Sequence, residues 1–325
     1  MRALGLISGG WDGEIAAAMV RAAGWEVLGL HLDHGFVRDD RAAEARRPRG
    51  FPVEVRGVAR EFLAEVVRRP RHGYGSAMNP CIDCRIFMLR RAAALAEERG
   101  VGLVFTGEVL GQTRMSQRRE SLLRIEAESG LSGRLLRPLS ARFLEPTRAE
   151  AGGAIDRERL GAIHGRGRRE QARLSAGLGL PPPRARGGPC CLLADRAFAA
   201  RLRDLLAHSP EDGPPPPALA LLRRGRHFRL SHRAKAVVAR DEEECRLLRE
   251  RHADLPSCQA EDGRGPVVLL EGDPDETAVR SAAALALRFG AHRGDAAAPV
   301  RIVGLGPGEG RIVAAPASAA RLEPI

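Results

Sequence analysis

Ser8-Gly9-Gly10-Trp11-Asp12-Gly13 follows the apolar run Leu4-Gly5-Leu6-Ile7 and precedes a helical pattern from Glu14 to Ala23. A buried strand that ends in small residues and turns into a helix leaves several backbone N–H groups facing one point, with the positive end of the helix dipole behind them. Such a point suits a phosphate. Glycine at positions 9, 10 and 13 lets the backbone take a positive φ and approach an anion with no Cβ in the way. The loop is not a Walker A loop, since no Gly-Lys-Ser/Thr follows, and the Gly-x-Gly-x-x-Gly of a dinucleotide fold is absent.

Outward from this loop, strand and helix patterns alternate. Residues 2–7 read as a central strand, 14–23 as a crossover helix ending at Gly24, and 27–32 as a second strand. A polar, arginine-rich connection leads to a third strand over 52–58 and a helix over 59–68. The alternation predicts a doubly wound parallel α/β sheet, in which ligands sit at the carboxyl ends of the strands, where Ser8 to Gly13 fall. His31-Leu32-Asp33-His34 lies at a second strand end; with no further ligand nearby, it reads as lining for a nucleotide rather than as a metal site. The fourth strand, 103–106, opens into a second glycine-bearing loop, Gly107-Glu108-Val109-Leu110-Gly111-Gln112, and Ser116-Gln117 starts another helix.

Six cysteines in 325 residues are too few and too irregular for a disulfide scaffold and point to metal or redox chemistry. Cys81-Ile82-Asp83-Cys84 precedes a helix over 85–98, and Cys190-Cys191 opens a helical stretch through about 207. Both pairs are expected at helix N-termini, where a thiol tends toward thiolate, the form that attacks sulfur, binds metal or carries a persulfide. Cys245 and Cys258 stand singly and read as structural.

The chain carries 52 Lys and Arg against 41 Asp and Glu, a formal charge of +11, and nearly all of its cations are arginine. Helices are expected over 156–163 and 167–178. Arg166, Arg168, Arg169 and Arg173, with Arg184 and Arg186, form the densest basic stretch, suited either to a solvated face or to a phosphate-tracking surface. No run of eighteen apolar residues and no signal-peptide pattern appears, so a cytoplasmic protein without membrane attachment is expected. The prolines at 214–217 place a stiff linker over 209–217, dividing residues 1–208 from a smaller α+β domain over 218–325.

Four stretches in this order resemble one family. Ser8-Gly9-Gly10-Trp11-Asp12, Asn79-Pro80-Cys81-Ile82-Asp83-Cys84-Arg85, the 107–112 loop with Ser116-Gln117, and Cys191-Leu192-Leu193-Ala194-Asp195 are similar to the PP-loop (N-type) ATP pyrophosphatases, in their tRNA thiouridine synthase branch. The C-terminal domain, through Gly225-Arg226-His227-Phe228-Arg229-Leu230, resembles an NFACT-R-like RNA-binding domain. Two positions depart from the pattern: Gly13 replaces a phosphate-binding hydroxyl residue, and Thr113-Arg114 replaces Arg-Pro. A lost hydrogen bond to a charged group costs about 1.5–3 kcal/mol, which weakens such a loop without abolishing it.

The resemblance implies an adenine nucleotide alpha hydrolase-like fold. It also implies ATP binding by Ser8, Gly9, Gly10, Asp12, Gly13, His31, Thr106, Gly107, Glu108, Gly111, Gln112, Ser116 and Gln117, with Mg²⁺ at Asp12. The implied reaction adenylates a tRNA uridine carbonyl and replaces its oxygen with sulfur from a donor protein or sulfide source. Catalytic roles fall to Asp12, Cys81, Cys84 and Cys191. The three thiols would hold a [4Fe–4S] cluster, or one would carry a persulfide that a second resolves. RNA contacts are implied for the arginines above and for Arg226 and Arg229. Two other classes fit the same motifs: an RNA-binding protein with a degenerate loop, and an amide-forming ligase acting on a small molecule.

Overall fold

A computed structural model of the protein describes residues 1–181, 190–210, 213–214, 216–305 and 310–325. Two compact units divide at Arg196/Ala197, ahead of the proline-rich stretch.

The first unit holds β1 (Arg2–Leu6), α1 (Trp11–Ala22), β2 (Glu26–Asp33), α2 (Asp39–Arg46), β3 (Val53–Gly57), α3 (Ala59–Phe62), α4 (Cys81–Glu98), β4 (Leu103–Phe105), α5 (Arg119–Glu128), β5 (Leu135–Leu136), α6 (Arg148–Ala151) and α7 (Arg169–Gly177). The five strands are all parallel, in the order β3-β2-β1-β4-β5. The strand order reverses between β1 and β4, which creates the crevice where such sheets bind ligands. The doubly wound parallel sheet expected from the sequence is therefore present. The apolar face of α1, Ile15, Ala16, Met19 and Val20, packs with Ala3, Phe105 and Leu136 of the sheet and with Ile155, Leu160 and Ile163. Each large side chain so buried contributes about 1.5–3 kcal/mol, which fixes α1 and the loop before it.

Several local expectations change. The arginine-rich stretch after β2 contains α2, whose two leading aspartates complement its dipole. The helix carrying Cys81 and Cys84 starts at Cys81, so both thiols lie in its first turn. The helix expected from Ser116 begins at Arg119, and that over 156–163 is reduced to a 3₁₀ turn, Arg157–Arg159. Cys191 is extended, with φ −141° and ψ 163°, and precedes a 3₁₀ turn, Leu192–Ala194. The Cys190-Cys191 pair thus does not sit at the N-terminus of a long helix.

The second unit takes up α8 (Arg196–Ala207) almost entirely, then α9 (Pro216–Leu221), β6 (Arg226–Arg229), β7 (Ala234–Val238), α10 (Glu242–Arg251), β8 (Ser257–Ala260), β9 (Val268–Gly272), α11 (Glu276–Arg288), β10 (Ala298–Val303) and β11 (Gly310–Ala314). Its antiparallel sheet runs β11-β10-β8-β9-β7-β6. The α11 side chains pack with Ala236, Val238, Val268 and Leu270 on one face, and the alternate residues Val237, Leu269 and Val267 pack with Leu248 of α10 on the other. That period of two is the strand signature. Strand β8, Ser257-Cys258-Gln259-Ala260, is short and half polar, and it buries Cys258. No helix among the described residues is long and apolar enough to cross a membrane.

Candidate nucleotide and cysteine site

The Ser8 loop lies between β1 and α1, as the sequence suggests. Gly9 has φ +70°, and a Cβ on it would stand 2.3 Å from the Arg41 carbonyl oxygen and 2.7 Å from the Ala45 amide of α2. Only glycine tolerates both the left-handed conformation and that approach. A Cβ on Gly107, after β4, would fall 2.4 Å from the backbone of Asp12 and Gly13, so the two loops meet backbone to backbone across the crevice. The expected second wall is in contact with the first.

Asp12 is heavily engaged. The Arg168 Nη1 lies 2.7 Å from both carboxylate oxygens, and the Gln112 side-chain amide donates to Oδ2 at 2.8 Å. The Trp11 indole donates to Ser175 Oγ at 3.2 Å, and the Gln171 amide donates to Gln112 Oε1 at 3.1 Å. Beside this network a cavity of about 640 Å³ runs along one face of α1, from Gly9, Trp11 and Asp12 to Arg21.

His31 is buried, with Nδ1 2.8 Å from the Ile7 carbonyl and Nε2 lacking a hydrogen-bond partner. Burial pushes its pKa down, so the neutral ring donates from Nδ1 and leaves Nε2 as a buried acceptor at the strand end. Glu108 is also buried: it accepts from Thr106 and Arg137 and faces Arg85 at 3.5 Å. Ser116 and Gln117 brace the loop, Ser116 Oγ lying 3.2 Å from the Thr113 hydroxyl and Gln117 Oε1 accepting from the Thr113 amide. The Gly111 amide donates to the Gln117 carbonyl at 2.6 Å. Glu108, Ser116 and Gln117 thus hold the wall in shape.

The cysteines converge from two distant stretches. Residues around Cys191 run antiparallel beside the chain after β2, with a Val37–Cys191 bridge and the Leu192 amide donating to the Phe36 carbonyl. The Met78 amide donates to the Leu193 carbonyl, which ties the Asn79-Pro80-Cys81 turn to the same stretch. The Asn79 amide donates to Cys81 Sγ at 3.2 Å. Cys81, Cys84, Cys190 and Cys191 all lie within electrostatic reach of one another, and Arg85 acts on Cys81, Cys84 and Cys190.

Their ionisation differs from what a helix N-terminus implies. Burial raises the thiol pKa of Cys81, and that of Cys84 to about 12. Desolvation outweighs the dipole and the nearby Arg85. The thiol of Cys191 hydrogen-bonds to Cys190, which pulls Cys190 below the ordinary cysteine value and pushes Cys191 above it; Arg85 and Arg41 add to the effect at Cys190. Cys190, an exposed residue, is thus the thiol best held as thiolate. Arg85 faces burial that opposes its charge, yet Glu108 and the thiols raise its pKa further.

Arg41 escapes the sequence reading, which names Cys190 only beside Cys191 and Arg85 only as the end of a motif. Arg41 links the two halves, since its Nη1 lies 2.8 Å from where a Gly10 Cβ would stand, its Nε is buried without a partner, and its charge acts on Cys190. No motif marks it; α2 alone brings it there. Among the described residues no group of three or more His, Cys, Asp or Glu side chains is arranged to hold a metal ion.

Of the arginines expected to meet RNA, Arg168 reaches Asp12, Arg173 lies 3.5 Å from Glu170, and Arg166 and Arg169 are exposed. Arg226 lies over the Phe289 ring, and Arg229 forks onto Asp204 of α8. Arg184 and Arg186 lie outside the described residues.

Residues 1–142 match the family model of the thiamine biosynthesis protein ThiI. The N-terminal unit is similar to the PP-loop family over that stretch. The chain is 30% identical over 163 residues to a tRNA-specific 2-thiouridylase MnmA of Xanthobacter autotrophicus, covering 45% of this chain and 42% of that protein. It is 35% identical over 128 residues to the MnmA of Corynebacterium glutamicum, covering 34% of each. The chain therefore spans less than half the length of these curated relatives. Residues 225–324 match the NFACT protein RNA binding domain. A solved chain described as a "predicted subunit of tRNA methyltransferase" from Methanocaldococcus jannaschii aligns at 18% identity and a TM-score of 0.32, covering 43% of this chain and 68% of that one, too weak a likeness to argue from.

Proposed function

We propose that the protein is an ATP-dependent tRNA sulfurtransferase that makes a thiouridine. The observation that carries this reading is Arg41, whose guanidinium lies against the phosphate loop at Gly10 and whose charge also acts on Cys190, so that one cation serves an adenylating loop and a sulfur site.

In this reading ATP lays its phosphates on the backbone amides that follow β1, and Gly9 and the α1 N-terminus supply donors that no side chain obstructs. The buried Nε2 acceptor of His31 and the 107–112 loop line the nucleoside. Mg²⁺, held at Asp12, would neutralise polyphosphate charge. A uridine carbonyl oxygen attacks the α-phosphorus and pyrophosphate leaves, which makes the oxygen a good leaving group on the base. The Cys190 thiolate takes the outer sulfur of a donor persulfide, the donor leaving as a thiolate. That terminal sulfur then attacks the activated ring carbon and AMP departs. A second thiol of the four attacks the Cys190 sulfur, releasing the thiouridine and forming a disulfide, which an external dithiol reduces. Arg85 and Arg41 keep the attacking sulfur ionised.

The second unit is read as the RNA-holding part, in line with the domain it matches. The test is ATP–pyrophosphate exchange with tRNA present, followed by nucleoside analysis. Exchange that survives Cys190→Ser while thiouridine formation is lost supports the separation of the two steps. No exchange with any tRNA overturns the adenylating role.

A further inference from the structure

Helix α7 presents Arg168, Gln171 and Ser175 to the phosphate loop from positions i, i+3 and i+7, a single face of a helix. All three side chains converge on the loop and its neighbour: Arg168 on Asp12, Gln171 on Gln112, and Ser175 on Trp11. Arg168 is the N-cap residue of α7, and its guanidinium, which carries only donors, cannot cap the helix. Its Nη1 straddles both oxygens of Asp12 at 2.7 Å, while Gln112 takes a further lone pair on Oδ2. Contacts spanning 156 to 164 residues of sequence therefore couple one helix to the loop.

We propose that Arg168 is a positioning residue that competes with a divalent cation for Asp12, and that α7 moves with it. This rests on the assignment of Asp12 as the metal-holding carboxylate. Arg168 spans the two oxygens that a cation would use, and two cations on one carboxylate repel each other. Arrival of a metal-bound polyphosphate therefore displaces Arg168 from Asp12, and with it the Gln171 and Ser175 contacts loosen. Arg168 and Asp12 both line the cavity of about 640 Å³, which gives the displaced guanidinium a route to the polyphosphate. The loop is either covered by α7 or loaded, and a nucleotide without its metal does not release the helix.

Mn²⁺ binding to the full chain, read from the electron paramagnetic resonance of the free ion, tests the competition. Arg168→Gln removes the charge at a side chain that is 52% exposed, so the fold is not threatened. The expected result is Mn²⁺ affinity about tenfold higher in Arg168→Gln, with Arg168→Lys close to wild type. Amide exchange over residues 169–177 is the second readout. It should speed up in wild type when Mn²⁺ and inorganic pyrophosphate are added together, and be fast from the outset in Arg168→Gln. Equal Mn²⁺ affinities, or α7 exchange indifferent to Mn²⁺ and pyrophosphate, overturn the proposal. Asp12→Asn separates the two levels: Mn²⁺ binding that survives this change removes the metal from Asp12, and both readings fall; binding lost in Asp12→Asn but equal in wild type and Arg168→Gln sinks the competition alone.

Discussion

Position 13 lacks the hydroxyl found in related loops but has room for one: a Cβ there meets nothing nearer than the Leu6 carbonyl oxygen at 3.9 Å. Gly13 lies inside α1 and has no positive φ, so serine enters without strain. Gly13→Ser should tighten inorganic pyrophosphate binding up to about tenfold, roughly 1.4 kcal/mol, and add a few tenths of a kcal/mol to helix stability. Calorimetric titration checks the first effect, and unchanged affinity would show that the backbone donors already satisfy the anion. The cysteines offer a second test at this scale. Cys190 is exposed and held toward thiolate, whereas burial keeps Cys81 and Cys84 protonated. Iodoacetamide at neutral pH should alkylate Cys190 before the other three, as read by peptide mass spectrometry; equal labelling of all four contradicts the assignment.

Among the elements, β5 and the residue after it lock the second wall of the crevice. Arg137 donates to Glu108 at 3.2 Å, to Glu126 of α5 at 2.7 Å and to the Leu122 carbonyl at 3.1 Å, with only 3% of its side chain exposed. Arg137→Ala strands a buried carboxylate and should cost about 3–5 kcal/mol in chemical denaturation of the PP-loop unit. In the second unit, His227 of β6 is wholly buried, and burial, aided by the Lys235 cation on β7, lowers its pKa from 6.5 to about 3. A histidine held neutral binds fewer protons folded than unfolded, so stability falls as pH drops from 6.5 toward 3, by about 1.4 kcal/mol per pH unit. Protection factors of the β6 and β7 amides, corrected for the intrinsic exchange rate at each pH, should fall between pH 6.5 and 5 in the wild type and much less in His227→Gln. The parallel sheet and the loops at its strand ends are legible in the sequence because apolar runs ending in glycine report both burial and close approach. Helix α2 is not, since Asp39 to Arg46 carries almost no apolar stripe and folds there through packing over Gly9. The thiol ionisation is also hidden, because burial, which reverses the expectation at Cys81 and Cys84, depends on neighbours that sequence spacing does not reveal.

On the scale of the whole molecule, the sequence carries two kinds of information that meet only after folding. The Ser8 loop is local, while the cysteine cluster is assembled from residues more than a hundred positions apart, with Arg41 beside both and Arg85 beside the cysteines and Glu108. Arg168, Arg229 and Arg137 hold carboxylates, and such pairs leave the excess of 52 cations over 41 anions, +11, unchanged. Exposed Arg166 and Arg169 and the NFACT-like unit leave a basic molecule that fits an RNA partner. The most direct test of the sulfurtransferase reading is mass-spectrometric analysis of nucleosides from the tRNA of a strain lacking this gene. One thiolated uridine should disappear, return with the wild-type gene, and stay absent with Cys190→Ser. A full set of thiolated nucleosides in the deletion strain would contradict that reading.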